Sequence, residues 1–251
     1  MTILILGMHR SGTSAITRLV GDMGAYIAPD ALLLPTTDDN PQGFWERKDV
    51  LAINRALLSA QNCNWYHIEG FDNTRPPPPE LRKPMQACIN ELSAHASFVV
   101  KDPRFCLTLP YWLNSLPPSS PRRRGSIREV TPAYAGVTII LALRHPASVA
   151  HSLHLRNAMP LEQGLELWEN YMTQALENIE GLPIIKCHYE KLMANPEHEI
   201  AALHAALAAR FPSLKLPAKN SLNPALVRAL PDKIGLSATQ QALYNLLVKQ
   251  P

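Results

Sequence analysis

Apolar residues gather along the chain in four short runs, each of which gives way to polar side chains. The runs are Ile3 to Leu6, Phe98 to Val100, Thr138 to Leu143 and Pro183 to Lys186. They are rich in β-branched residues and too short for helices, so they predict buried strands of a parallel sheet. Between them the period changes. Leu161, Leu165, Trp168, Met172, Ala175 and Ile179 recur at spacings of 4, 3, 4, 3 and 4, one face of an amphipathic helix. Asn195, Pro196 and Glu197 supply an N-cap, an N1 proline and a first-turn acid. They open a helix whose apolar face is Ile200, Leu203, Leu207 and Phe211. Strands alternating with helices predict an α/β fold of three layers, a central parallel sheet flanked by helices.

The polar clusters fall where such a fold places its ligands. His9 to Ser14 follows the first strand, Lys101-Asp102-Pro103-Arg104 the second, Arg144-His145-Pro146 the third and His188-Tyr189-Glu190 the fourth. Open parallel sheets bind ligands beyond the carboxyl ends of their strands. All four clusters are therefore expected to meet in one crevice.

Composition narrows the class. With 251 residues, 46% of them apolar, the chain can bury a core as one domain spanning 1–251. Residues 117–136 carry paired prolines and a triple arginine between a predicted helix (Leu109 to Leu116) and a strand, and read as an inserted mobile surface loop. Four arginines and one glutamate between Arg122 and Glu129 account for the whole net charge of +3, which leaves no basic footprint for nucleic acid. The opening apolar run is too short to span a bilayer and lacks the flanks of a signal peptide, which favours a soluble, cytoplasmic protein. Cys63, Cys88, Cys106 and Cys187 lack the close pairing of a zinc or redox motif, and no metal is expected.

Two motifs carry chemistry. Gly7-Met8-His9-Arg10-Ser11-Gly12-Thr13-Ser14 joins a strand to a helix read as Ala15 to Met23, and its amides can hold an anionic phosphate. The glycine spacing is that of a P-loop, but Thr13 stands where a nucleoside triphosphatase needs lysine, and the loop's cation is Arg10 instead. A kinase or NTPase is thereby disfavoured, though it stays open beside a non-catalytic nucleotide-binding relative. The second motif is Arg144 with Ser152 eight residues on. A helix opened by Pro146 turns the Ser152 hydroxyl toward the crevice of Arg144, and guanidinium with hydroxyl suits a phosphate monoester.

On these residues the chain resembles the PAPS-dependent sulfotransferases, in particular their bacterial branch. The first loop is similar to their 5'-phosphosulfate loop, and Arg144 with Ser152 to their 3'-phosphate site. Tyr189-Glu190-Lys191-Leu192 with Asn195-Pro196 resembles the later motif whose tyrosine contacts the nucleotide. The segments at Gly43 to Glu46 and Lys101 to Arg104 resemble others of the branch. The resemblance implies a P-loop fold, transfer of a sulfuryl group from PAPS to an acceptor hydroxyl or amine, and release of PAP. It implies nucleotide contacts from Arg10, Ser11, Gly12, Thr13, Ser14, Arg144, Ser152 and Tyr189. Sulfuryl transfer needs charge neutralised on the departing phosphate, for which Arg10 and Lys101 are the candidate catalytic cations, and the resemblance gives the role of base to Glu46. Asp102 and His145 are rival bases. The acceptor, a small molecule, glycan or lipid, is expected between residues 28–42, residues 65–79 and the region after Arg156. Trp45, Trp65, Tyr66 and Trp112 are candidates for its aromatic wall.

Overall fold

The structure is a computed structural model and describes residues 1–37, 40, 42–116, 136–223 and 234–249. All four apolar runs are strands: β1 (Thr2–Leu6), β2 (Phe98–Lys101), β3 (Val137–Leu143) and β4 (Ile184–His188). They form one wholly parallel sheet in the order β2-β1-β3-β4. Every residue of β1, β2 and β3 is buried, which is why those runs show no alternation. β4 departs from the expectation of a buried strand. It is the sheet's edge and half-exposed, and its Lys186 donates from Nζ to the Leu247 carbonyl at 2.9 Å. The ladder also runs further than the apolar runs suggest. Ile5 registers with Lys101 and Leu143 with His188, so both polar residues end strands rather than follow them.

The helices are α1 (Thr13–Asp22), α2 (Lys48–Ser59), α3 (Arg82–Ser93), α4 (Phe105–Ser115), α5 (Pro146–Asn157), α6 (Leu161–Asn178), α7 (Tyr189–Ala194), α8 (Pro196–Ala208) and α9 (Ala238–Lys249). Two apolar clusters make the three layers. Leu4, Leu6, Val100, Ile139 and Leu141 face α2 to α6 and α9, while Ile3, Ile5, Val99 and Ile140 face α1, α7 and α8. The predicted stripe of α6 is the buried one, with Trp168, Met172 and Ala175 at 1% exposure or less. Asn195 precedes α8 as expected but makes no side-chain cap; Pro196 at N1 sets the start. All four cysteines are free thiols, and all are buried. Among the described residues no helix is long and apolar enough to cross a membrane. The expected insertion at 117–136 lies outside the described residues, apart from Gly136.

Two details of the fold position the site. The helix after β1 goes to one face of the sheet and the helix after β3 to the other, so the chain leaves these two adjacent strands in opposite directions and a crevice opens beyond their carboxyl ends. At the far side of β2, Tyr26 bridges in parallel to Phe98, and Val99 donates to its carbonyl at 2.8 Å. The Tyr26 hydroxyl bonds Glu91 and its ring stacks on His95. Glu91 in turn pairs with Arg47 at 2.7 Å.

Candidate active site

The loop after β1 is bent by its own backbone. Gly7 and Gly12 have φ of 145° and 85°, and Arg10 holds a left-handed φ of 69°. A side chain in that region costs roughly 1–2 kcal/mol, so the surroundings must hold Arg10 there. They do so from the β3 side: Arg144 Nη1 donates to the Arg10 carbonyl at 2.7 Å, and Arg10 Nε donates to Ser152 Oγ at 3.0 Å. Glycine at 12 is required by packing as well as by φ. A Cβ there would lie 2.2 Å from Cδ2 of Tyr189, whose ring also carries the Arg144 guanidinium at 4.6 Å from its centroid.

The loop, the end of β2 and the segment before α2 enclose a cleft of about 360 Å³. Gly12, Thr13, Ser14 and Ala15 line it where the first turn of α1 leaves its amides without intrahelical acceptors. Ser11 does not. Its side chain is fully buried and its amide closes the turn onto the Met8 carbonyl at 3.1 Å. Of the other expected site residues, Arg10, Glu46, Lys101, Arg144, Ser152 and Tyr189 all border the cleft.

Glu46 and Lys101, 55 residues apart, are ion-paired at its border, and Lys101 Nζ also donates to Ser14 Oγ and the Phe44 carbonyl. Lys101 is 2% exposed and Glu46 7%. The segment that brings Glu46 in is held tightly. Trp45 takes a φ of 55°, its Nε1 donates to the Gln42 carbonyl, and Arg47, buried at 2% exposure, pairs with both Asp49 and Glu91. The two rival bases stand elsewhere. Asp102 is fully buried, where it accepts from the Arg104 amide at 2.8 Å and guanidinium at 3.0 Å and fixes the turn into α4. The His145 ring lies against Tyr244, and its amide donates to Glu190.

The scan of family models decides what kind of protein this is: the model described as "Sulfotransferase family" matches residues 2–213. The chain belongs to the sulfotransferase family. The sulfotransferase domain from the Synechococcus PCC 7002 olefin synthase has a similar fold, with a TM-score of 0.56 at 17% identity, covering 100% of this chain and 95% of that one. The sulfotransferase domain from the curacin biosynthetic pathway gives the same TM-score and identity over 99% and 97% of the two chains. No curated protein matches by sequence.

The cleft of this sulfotransferase also holds Arg18 and Arg156, which are not among the expected site residues. Arg18 lies four residues after Ser14 and Arg156 four after Ser152, each on the same helix face as an expected site residue. His9, part of the expected cluster after β1, borders the cleft as well. Its ring sits 4.8 Å from that of Trp65 and 5.8 Å from that of Tyr171, with Nε2 buried and unpartnered. Burial, then the nearby charges of Arg104, Lys101, Arg156 and Arg10, push its pKa well below the ordinary value and keep the imidazole neutral. The expected aromatic wall divides. Trp45 borders this cleft, Trp65 a second one, Tyr66 is exposed, and Trp112 is a core residue that donates to Asn54.

Proposed function

We propose that the chain, as one domain over 1–251, transfers a sulfuryl group from PAPS to an acceptor hydroxyl or amine and releases PAP. The observation that carries this reading is the charge of the cleft. Arg10, Arg18, Lys101, Arg144 and Arg156 border it against one carboxylate among the described lining residues, Glu46, and the open N-terminus of α1 adds to the same sign. Such a lining fits a polyanion with phosphates at two places, one by the loop and one by Arg144 and Ser152.

In this reading PAPS supplies an activated sulfuryl group. Arg10 exchanges its bond to Ser152 for oxygens of the 5'-phosphosulfate, joined by amides from Gly12 to Ala15. Arg144 and Ser152 hold the 3'-phosphate, and Tyr189 packs on the nucleotide. Glu46, which accepts from Lys101 Nζ in the ion pair, is the base of this reading. As the acceptor oxygen bonds to sulfur, the bond from sulfur to the 5'-phosphate oxygen breaks and its electron pair leaves with PAP. The acceptor's proton passes to Glu46, and Lys101 neutralises the departing phosphate.

The test is thermal stabilisation by PAP against ATP with magnesium, on the wild type and on Arg144→Ala with Ser152→Ala. At ~100 times its dissociation constant a ligand adds about 2.7 kcal/mol to stability. PAP is expected to stabilise the wild type and not the double variant. Stabilisation by ATP with magnesium alone would turn the reading toward phosphoryl transfer.

A further inference from the structure

A second cleft of about 360 Å³ adjoins the first and shares His9, Phe44, Glu46 and Arg156 with it. Glu46, the proton acceptor of the reading above, therefore stands on the wall between the two. The second cleft draws on the segments before α2, near Trp65 and at the end of α5, with Leu34, Trp65, Leu153 and Asn157 among its lining. Its lining combines apolar side chains, Leu34, Pro35, Leu51, Trp65 and Leu153, with three arginines, Arg55, Arg104 and Arg156, and the single acid among its described lining residues, Glu46, is already bonded to Lys101.

Arg104 is the informative member. It is 4% exposed, spends Nη1 on Asp102, and leaves Nε buried without a hydrogen-bond partner. An arginine is rarely buried with its fork incompletely used. The planar fork matches a carboxylate, which accepts two parallel N–H bonds. His9, neutral and with Nε2 unpartnered, adds a polar group without adding charge.

We infer that the second cleft binds the acceptor, and that this acceptor is a small, largely apolar molecule carrying a carboxylate besides the hydroxyl or amine that is sulfated. The inference rests on the sulfotransferase reading above for the reaction, but the geometry of the second cleft bears on binding alone. The apolar side chains take the body of the molecule, the arginines take the carboxylate, and the nucleophile points past Glu46 into the first cleft.

Calorimetry on the PAP-saturated protein tests it with two probes of one shape, 4-(hydroxymethyl)benzoate and 4-(hydroxymethyl)benzamide. The benzoate is expected to bind at least about tenfold more tightly, the size of one well-placed charged hydrogen bond. Arg55 borders only the second cleft and is exposed, so Arg55→Glu is expected to fold. That variant should abolish the preference while its stabilisation by PAP stays unchanged, and Arg55→Ala should reduce it. Equal binding of the two probes, including no binding of either, overturns the inference, as does a preference that survives Arg55→Glu. Failure of PAP to bind the wild type would instead overturn the donor reading, and the same titration on the protein without PAP would still decide the second cleft.

Discussion

The two clefts share a wall but are built differently. The first sits on the ends of β1, β2 and β3 and on the first turn of α1, and its polar groups are bonded to one another before any ligand arrives: Arg10 to Ser152, Arg144 to the Arg10 carbonyl, Lys101 to Glu46. The second is lined mainly from α2, α5 and the irregular segment before α2, and its arginines reach it from α2, from α5 and from the turn before α4. A site made of strand ends is rigid because the sheet fixes it. A site made of connecting segments can differ between relatives without disturbing the core. In the proposed reading the first carries the chemistry common to the family, and the second is where selectivity can vary.

That contrast predicts unequal costs. The largest belongs to Lys101→Met, which leaves the Glu46 carboxylate buried without its cation and is expected to lower stability by about 3–5 kcal/mol. Urea unfolding measures it, and adding Glu46→Gln should recover part of the loss, because the orphaned charge is then gone. If Lys101→Met were harmless, the border of the first cleft would be as adaptable as the second. Next is Gly12→Ala, expected to destabilise by about 1–2 kcal/mol from the left-handed backbone alone, with the contact to Tyr189 in addition. Tyr189→Ala in the same chain should relieve the contact and leave the backbone term.

A smaller effect concerns acid. His9, His145 and His188 all have pKa values lowered first by burial, so the unfolded chain takes up protons before the folded one does. Their contribution is complete above the ordinary value of 6.5 and is lost as pH falls through it toward the lowered folded values. Urea midpoints measured from about pH 7.5 down to about pH 5 should decline, and His9→Gln should make that decline shallower. Smallest of all, Arg55→Ala should leave the urea midpoint within error of the wild type, since it removes an exposed side chain of the second cleft.

The same contrast governs what the sequence reveals. The strands are legible because three of them are buried on both faces, and Arg10, Arg144, Ser152 and Tyr189 are found by their distance from a strand end. The pairing of Glu46 with Lys101 is not legible, since it spans 55 residues and depends on how the chain before α2 folds back over β2. Nor is the position of β4 at the edge, because a half-buried edge strand and a fully buried one can share an apolar run. The second cleft leaves the faintest trace. Arg55, Arg104 and Arg156 stand far apart in sequence and converge only through tertiary packing.

Tyr26 closes the outer edge of β2 and holds Glu91, which holds Arg47, the residue next to Glu46. Guarding the sheet against strand addition by other molecules and steering the carboxylate proposed as the base are thus tasks of one short chain of bonds. A variant that loosens Tyr26 would bare a sticky edge and slacken the cleft together. Poor solubility and poor turnover would then be two symptoms of one lesion, and screening for soluble variants would also select for well-placed Glu46.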